Sequence, residues 1–336
     1  MKTPSCLTLD FKEYAGGSAL WGLLPPVYNT SKVLLEHGIH VHCRRVEEGD
    51  KIVDRTYDVV QVKFLNKQIS SQVIEITRTM AVNYVIAQVF NIEMSYLVCT
   101  RCNHPHLDYG IRSISPHVEH ECENCGTDFA SDKETVGNPI VGIRETLPQH
   151  NGNIPVSPKR HIEIEQKDFP RGIQLWGSNR SILWARDKEE ECGIHLHCYQ
   201  NEKYRRVIDD TYASVVVDGI CIDQNMLRLY MAQCAFPHLS EAVESLLCPY
   251  CATPHFDRDT WAYRPHKMHL CFGCKREFSS PSDKPYTIGN PMKKILQDLS
   301  RNTFLNNRWH YGFYEDNSLN WSDTVEWKKS EQEMVA

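Results

Sequence analysis

The sequence of 336 residues lacks the common signatures of nucleotide-driven and serine-nucleophile chemistry. It contains no Walker A loop, no GxGxxG motif after a predicted strand, no GxSxG motif and no HExxH motif. No nucleotide-binding motif is therefore present, and no enzyme that depends on one is indicated.

Long apolar runs are also absent. The first residues, MKTPSCLTLDFKEY, have no apolar signal core. The most apolar stretch, residues 80–98, is interrupted by four polar side chains, Asn83, Gln88, Asn91 and Glu93. We therefore expect a soluble, cytoplasmic protein that does not enter a membrane.

A strong excess of positive charge is missing as well. The chain has 37 Lys and Arg residues, 43 Asp and Glu residues and a net charge of −6. A basic face that coats DNA without specificity is not expected from this balance. If nucleic acid is a partner, we expect a specific site; a protein partner fits the charge equally well. The sequence leaves the oligomeric state open.

Cysteine, in contrast, is abundant and regularly spaced. Eight of the 14 cysteines form four CxxC pairs, and the pairs lie in two windows, residues 99–129 and 248–278. In each window, 19 residues separate the two pairs. Four thiolates are the ligand set that tetrahedral Zn²⁺ prefers in structural sites, and they leave no position open for a substrate. The predicted ligands of two structural zinc ions are Cys99, Cys102, Cys122, Cys125, Cys248, Cys251, Cys271 and Cys274.

Each window resembles the zinc-ribbon modules, which are small β-hairpins built around one zinc ion. The resemblance covers these two windows of 31 residues only. It implies structural zinc and, by analogy with the use of such modules in nucleic-acid machinery, a nucleic acid or a nucleic-acid-bound complex as partner.

The two windows also share histidine and aspartate residues. Eleven of the 31 positions are identical, and most of these are groups that ligate, bond or titrate. The shared set beside the cysteines is His106, Asp108, His117 and His120 in the first window, and His255, Asp257, His266 and His269 in the second. Three interpretations stay open: a second metal site, a site for a polar ligand, or hydrogen-bonding groups that support the cysteine ligands.

A second histidine pattern, GIHxHC, occurs at residues 38–43 and 193–198. Its two histidines are two positions apart, so they point to the same face of a strand. The pairs are His40 with His42 and His195 with His197, and the nearby repeated acids are Asp54 and Asp209. Either each pair binds a metal with the acid as third ligand, or the imidazoles pack and hydrogen-bond within a small sheet.

The repetition extends beyond these motifs and predicts a tandem duplication of an α+β unit. LTLDFKEYAGGSALWG near the N-terminus aligns with IEIEQKDFPRGIQLWG, 155 residues later. Alternating apolar residues predict a small antiparallel sheet, and residues 71–97 and 222–247 have helical character, broken in the second case by Pro237. The predicted order is a first unit (1–147, with a short helix at 139–147), a linker (148–161), a second unit (162–299, with a short helix at 291–299) and an aromatic-rich tail (300–336).

Two functions remain in competition at this point. The first is a non-enzymatic zinc protein that recognises or scaffolds a nucleic-acid-associated complex. The second is a metal-dependent hydrolase or nuclease, with its reactive ion at the shared His and Asp residues or at the HxH face. If the protein is an enzyme, the candidate catalytic residues are His106, Asp108, His117, His255, Asp257 and His266.

Overall fold

The structure, a computed structural model, describes residues 5–10, 13–14, 16–29, 38–44, 51–65, 71–146, 155–156, 158–177, 179–184, 190–200 and 206–299. The predicted aromatic tail, and residues 148–154 of the predicted linker, lie outside these ranges. The chain forms two compact units, and each contains a segment from the other half of the sequence. Unit 1 comprises residues 1–23, 36–156 and 179–191, and unit 2 comprises 24–35, 157–178 and 192–336.

Within the described residues, unit 1 contains one four-stranded sheet, two three-stranded sheets and a two-strand pairing, and one of the three-stranded sheets belongs to the cysteine-rich window. The four-stranded sheet is antiparallel, in the order Leu183–Trp184, Gly17–Leu23, Gly38–Arg44, Lys51–Tyr57. The other three-stranded sheet has the order Cys6–Leu9, Val59–Phe64, Gln72–Thr77. A short parallel pair joins Pro155–Val156 to Glu190–Glu191.

Unit 2 has sheets of the same two kinds. Its antiparallel four-stranded sheet has the order Arg206–Tyr212, Ile194–Tyr199, Gly172–Gly177, Tyr28–Asn29. Its three-stranded sheet has the order His161–Ile164, Ser214–Val217, Ile220–Asp223. Alternation along Ile194–Tyr199 buries Ile194, Leu196 and Cys198 completely and turns the two histidines of the strand to the opposite face.

Helices follow the sheets in both units. Unit 1 has Arg78–Phe90 and Pro139–Thr146, and unit 2 has Gln224–Cys234, Pro237–Ala242 and Met292–Leu299. The predicted break at Pro237 is confirmed, because that residue begins a new helix. Asparagine side chains begin the two short helices: the side-chain oxygen of Asn138 accepts a hydrogen bond from Ile140 N, and that of Asn290 accepts one from Met292 N. Within the described residues, no helix is both long and apolar enough to span a membrane.

Two details of the predicted secondary structure were wrong. Residues 72–77 form a strand, and the helix begins only at Arg78, because Val73, Ile74 and Ile76 favour a strand and Thr77 caps the helix through its hydroxyl. The three-stranded sheets are mixed, because Cys6–Leu9 lies parallel to Val59–Phe64 and His161–Ile164 lies parallel to Ser214–Val217. Three strands of the four-stranded sheet lie between these parallel partners in sequence and supply the long connection that a parallel pair requires.

The cysteine-rich windows fold as small hairpins. In unit 1, His117–Glu121 pairs antiparallel with Asp128–Gly137, which also pairs with Met94–Ser95. In unit 2, Met268–Leu270 pairs with Glu277–Ser279, and Val243–Glu244 pairs with Ile288–Gly289. Short 3₁₀ turns occur at Gln166–Asp168 and, inside the two windows, at Gly110–Ile114 and Asp259–Ala262. The fold therefore combines helices with small sheets and two hairpins that carry the cysteines.

Candidate metal centres

The eight predicted cysteines gather into two groups of four. Cysteine cluster 1 is Cys99, Cys102, Cys122 and Cys125, and cysteine cluster 2 is Cys248, Cys251, Cys271 and Cys274; in each, the sulfur atoms lie within 4.8 Å of one another. The closest Sγ–Sγ distances are 3.6–3.7 Å. Sulfur ligands about 2.3 Å from a tetrahedral zinc ion lie about 3.8 Å apart, whereas a disulfide bond is about 2.0 Å long. The spacing therefore fits one zinc ion in each cluster.

The backbone around each CxxC pair forms a tight turn. Cys99 O accepts a hydrogen bond from Asn103 N, and Cys122 O accepts one from Gly126 N. The residue after the second cysteine of every pair has positive φ; these residues are Asn103 (56°), Gly126 (64°), Ala252 (57°) and Lys275 (61°). This left-handed step folds the chain back and aims both thiols of a pair at the same point.

Hydroxyl groups beside the cysteines favour the thiolate form that binds metal. Thr127 Oγ1 lies 3.3 Å from Cys125 Sγ, and Thr253 Oγ1 lies 3.1 Å from Cys251 Sγ. The contact with the threonine side chain is the main reason that the pKa of each of these two thiols is lowered to about 6. Two of the eight sulfurs are therefore already disposed to act as thiolates at neutral pH.

Beside cysteine cluster 1, three imidazoles converge on one carboxylate. This group, His–Asp cluster 1, consists of His106, Asp108, His117 and His120. Asp108 Oδ1 lies 3.0 Å from His106 Nε2 and 3.2 Å from His117 Nε2, and Asp108 Oδ2 lies 3.4 Å from His120 Nδ1. The Asp108 and His106 residues are each only 3% exposed.

Unit 2 contains the same arrangement in His–Asp cluster 2, which consists of His255, Asp257, His266 and His269. Asp257 Oδ1 lies 2.8 Å from His255 Nε2 and 3.3 Å from His266 Nε2, and Asp257 Oδ2 lies 3.2 Å from His269 Nδ1. Gly289 N donates to Asp257 Oδ2, and Gly137 N donates to Asp108 in the same way, both at 2.6 Å. The structure thus brings all eight predicted His and Asp residues of the two windows together, four in each unit.

Hydrogen bonds on the far side of the rings decide which nitrogen faces the carboxylate. His117 Nδ1 lies 2.8 Å from the Ser115 carbonyl oxygen and must donate to it, as must His266 Nδ1 to the Arg264 carbonyl oxygen at 2.9 Å. In the neutral ring, the nitrogen facing the carboxylate then carries a lone pair. The lone pair of this nitrogen and those of the carboxylate oxygen repel each other unless a proton or a metal cation lies between the two atoms. The His–Asp clusters are therefore suited to hold a cation.

Burial and hydrogen bonding act against each other in these clusters. Burial opposes protonation of His106, yet its hydrogen bonds to Asp108 and Glu123 outweigh burial and raise the pKa of His106 to about 9. Burial also opposes ionisation of Asp108, but bonds from His106 and the Gly137 amide hold the pKa of that carboxyl below its usual value. The pKa of Asp257 is lowered in the same way, by His255, His269 and the Gly289 amide. Both carboxyls are therefore anionic at neutral pH.

The two His–Asp clusters differ at one neighbouring position. In unit 1, Glu123 Oε2 lies 3.0 Å from His106 Nδ1. The equivalent residue in unit 2 is Phe272, whose ring stacks on His255 with 6.4 Å between ring centroids and 11° between planes. Within the part of the chain that the structure describes, the buried His255 Nδ1 has no hydrogen-bond partner. The central carboxylate is present in both units, whereas the outer neighbour is acidic in unit 1 and aromatic in unit 2.

The third type of group lies on the four-stranded sheets. HxH–Asp cluster 1 consists of His40, His42 and Asp54, and HxH–Asp cluster 2 consists of His195, His197 and Asp209. The strand register explains the first group, because His42 pairs directly with Asp54 and His40 pairs with Thr56. In unit 2, His197 pairs with Asp209 and His195 pairs with Thr211.

Several residues of these sites were not singled out as site residues from the sequence. Gly137 and Gly289 lie against the His–Asp clusters, and Thr56 and Thr211 contact the first histidine of each HxH pair. A signal for all four was present, because GNP and Asp-x-Thr-Tyr recur in both halves of the sequence. The acidic and aromatic residues at 123 and 272 differ between the halves, so repetition gives no signal for them.

Comparison with known proteins finds no matching family model, no matching curated protein and no matching solved structure. Inference about function therefore rests on the site geometry.

Proposed function

We propose that this protein is a zinc-binding recognition module in which two structural zinc ions hold the hairpins in shape and the second hairpin binds single-stranded nucleic acid. The zinc part rests on the tetrahedral spacing of both cysteine clusters. The recognition part is carried by one observation, the aromatic and basic surface of the window 248–278. The equivalent surface of the window 99–129 has neither property.

Composition separates the two windows. Residues 248–278 contain six aromatic residues, five Lys or Arg residues and three Asp or Glu residues. Residues 99–129 contain two aromatic residues, two Lys or Arg residues and five Asp or Glu residues. The net charge of the first hairpin is therefore negative and that of the second is positive, although the chain as a whole is acidic.

Three of the six aromatic side chains of the second window are exposed, and cations lie over two of these three. Tyr250, Trp261 and Phe272 are 57%, 54% and 55% exposed. Arg276 lies 5.1 Å from the Tyr250 ring centroid, and Lys275 lies 5.6 Å from that of Phe272. Tyr250 and Phe272 belong to the two turns that share cysteine cluster 2, so they lie at the zinc end of the hairpin.

This combination suits a strand of unpaired bases. Bases stack on exposed aromatic rings, at about 1–3 kcal/mol per base, and the neighbouring cations contact the phosphates. A duplex hides its base faces and would leave the rings unused. The small number of cations fits a short, local contact, in agreement with the acidic balance of the whole chain.

The test is binding of a fluorescently labelled single-stranded oligonucleotide to the full-length protein, followed by anisotropy at two salt concentrations. We expect Tyr250→Ala with Phe272→Ala to weaken binding at least tenfold, because two stacking platforms are lost. The matched control is Ile111→Ala with Val118→Ala, which removes exposed apolar side chains from the first hairpin. Equal affinity in both double variants, or no binding by the wild type, would reject the recognition role.

A second candidate function, a metal-dependent hydrolase or nuclease, is favoured by the lone pairs that face Asp108 and Asp257. A metal ion there would be held by His106, Asp108, His117 and His120, or by the equivalent four residues of unit 2, and would supply an activated water. Burial restricts access to the edge of each cluster, where the His117 and His266 side chains are 20% and 11% exposed. Phosphodiester hydrolysis that stops with a chelator too weak to remove zinc from four cysteines would favour this candidate.

We further propose that the two halves arose by tandem duplication. The two copies of the repeated sequence are residues 1–147 and residues 162–299. Support comes from equal strand orders in the three-stranded sheets, from equal HxH–Asp and His–Asp clusters, and from the aligned sequence motifs. Thiolate clusters require reduced cysteine, which agrees with a cytoplasmic location.

A further inference from the structure

We infer that each HxH–Asp cluster is a binding site for a divalent first-row transition metal, with coordination positions open to solvent. The ligands assigned here are His40 Nε2, His42 Nε2 and one oxygen of Asp54 in unit 1. In unit 2 they are His195 Nε2, His197 Nε2 and one oxygen of Asp209. These sites are separate from the cysteine clusters, and they do not depend on the proposed recognition of nucleic acid.

The three ligand atoms form a nearly equilateral triangle in both units. In unit 1, the two Nε2 atoms are 2.8 Å apart, and Asp54 Oδ1 lies 3.3 Å from His40 Nε2 and 3.0 Å from His42 Nε2. In unit 2, the corresponding distances are 2.9, 3.3 and 3.1 Å. The same triangle thus recurs on both GIHxHC strands.

Hydrogen bonds alone cannot satisfy such a triangle. Each Nε2 carries at most one hydrogen, and an ionised carboxylate carries none. One hydrogen cannot lie along two edges of the triangle, so at least one edge joins two lone pairs or two N–H groups. A cation above the triangle removes the unfavourable edge, because each of the three atoms then directs a lone pair at the ion.

The dimensions suit a transition metal. Imidazole nitrogen and carboxylate oxygen bind zinc at about 2.0–2.2 Å, so an ion at that distance from all three atoms lies about 1 Å outside their plane. All three ligands are then on one side of the ion. Two imidazoles and one carboxylate in this facial arrangement leave positions for water or an oxygen ligand, in contrast to four cysteines.

The surroundings are organised as metal sites usually are. Thr56 Oγ1 lies 3.2 Å from His40 Nδ1, and Thr211 Oγ1 lies 3.2 Å from His195 Nδ1, so the far side of the first imidazole is oriented in both units. The Trp21 ring lies edge-on to His42 at 5.0 Å between centroids, and Trp176 lies in the same way against His197 at 4.8 Å.

The open side of the site faces solvent. The Asp54 side chain is 46% exposed and that of Asp209 is 44% exposed, whereas the indole of each site covers one side of the pair of imidazoles. Exposed carboxylates beside less exposed imidazoles give the ion a route of entry and leave its outward positions to water. The site therefore takes a small ligand with oxygen donors, rather than a large apolar one.

The test measures the binding of Co²⁺ to the full-length, zinc-loaded protein by equilibrium dialysis and metal analysis. We expect His42→Ala with His197→Ala to bind two Co²⁺ ions per chain fewer than the wild type, and each single variant to bind one fewer. His161→Ala, which removes an exposed histidine that bonds only to Ser214 in the described structure, is the matched control and should bind as the wild type does. The zinc content and circular dichroism of every variant should be unchanged.

A conservative pair of variants guards against misfolding. Asp54→Asn with Asp209→Asn keeps the shape of two exposed side chains and should weaken Co²⁺ binding at these sites at least tenfold.

The open coordination positions are tested with Mn²⁺. Water bound to Mn²⁺ at these positions exchanges with the solvent, and this exchange should enhance water-proton relaxation in the wild type and not in the double histidine variant. Undiminished Co²⁺ binding in both double variants would overturn the assignment, and absence of the relaxation effect in the wild type would overturn the open positions.

Discussion

At the scale of single residues, a glycine behind each His–Asp cluster determines how closely the hairpin can approach its neighbour. A Cβ atom at Gly137 would lie 2.7 Å from His106 Cδ2, and one at Gly289 would lie 2.6 Å from His255 Cδ2. Both imidazoles are buried and bonded to the central carboxylate, so they cannot move aside freely. Neither glycine has positive φ, so backbone conformation does not require glycine at these two positions. The requirement comes from the close packing of the imidazole instead.

We therefore expect Gly137→Ala to lower the free energy of unfolding by about 1–3 kcal/mol, the usual effect of overpacking. Urea unfolding of the zinc-loaded protein measures the difference. Asp132→Ala, on the exposed side of the same strand, is the control and should change stability by less than about 0.5 kcal/mol. If the two variants are equally stable, the packing explanation is wrong.

The reactivity of cysteine thiols is a second property of individual residues. Outside the two cysteine clusters, Cys6 and Cys221 are exposed and Cys43, Cys192, Cys198 and Cys234 are buried. Burial raises the pKa of Cys198 and Cys234 to about 12, so these thiols are protonated at neutral pH. A thiolate is the reactive form, and the buried residues should therefore be inert in the folded protein.

Labelling of the zinc-loaded protein with a thiol reagent at neutral pH should modify two cysteines per chain rapidly. Removal of zinc by a strong chelator should add eight more, and the last four should react only after unfolding. Peptide mapping by mass spectrometry identifies the sites. Rapid labelling of any of the eight cluster cysteines in the zinc-loaded protein would contradict metal ligation by all of them.

At the scale of elements, we expect each hairpin to depend on the proposed zinc ion, because its apolar core is small. A cluster of buried residues in the second hairpin consists of Leu246, Cys248, Cys271 and Phe278, so half of its members are ligands of the predicted ion. Without the ion, four thiol groups would be brought together with little apolar burial to compensate for the loss of chain entropy.

We predict that Cys248→Ser unfolds the second hairpin locally. Hydrogen exchange followed by mass spectrometry should show amide exchange at residues 248–278 accelerated at least tenfold, with protection in Ile194–Tyr199 unchanged. The equivalent variant Cys99→Ser should act on residues 99–129 instead. Exchange that remains slow in both hairpins would show that the ions are not required for their fold.

The sequence was sufficient for the cysteine clusters and for most helices, because ligand spacing, helix caps and a proline break are local signals. It was insufficient for the strand at residues 72–77, where apolar alternation runs directly into a helical pattern. The parallel pairing of Cys6–Leu9 depends on a partner about 50 residues away, which no local pattern specifies. The convergence of three histidines on Asp108 likewise depends on the hairpin and the 3₁₀ turn together, so the sequence did not specify it. Repetition of these residues in both windows indicated only that they belong to a site.

At the scale of the whole molecule, neither unit is continuous in sequence. Residues 179–191 belong to unit 1, where Leu183–Trp184 pairs with the strand Gly17–Leu23. Ile182 and Leu183 are fully buried there, and Ile182 N donates a hydrogen bond to Leu20 O. A segment from the second half of the sequence therefore supplies part of the core of unit 1.

Ile182→Ala should accordingly destabilise unit 1, by about 2–5 kcal/mol, although the residue lies in the second half of the sequence. Hydrogen exchange should increase in Gly17–Leu23, while protection in Ser214–Val217 of unit 2 should stay the same. Val207→Ala, which shortens an exposed apolar side chain in unit 2, is the control. Faster exchange confined to unit 2 would contradict this assignment of the segment.

The central claim is that the two cysteine clusters each hold one zinc ion, and zinc content per chain tests it most directly. The full-length protein, purified without added metal and treated with a weak chelator, should retain two zinc ions per chain. Cys99→Ser and Cys248→Ser should retain one each, and the double variant none. Zinc well below two per chain in the wild type, or a content that neither substitution changes, would contradict the account.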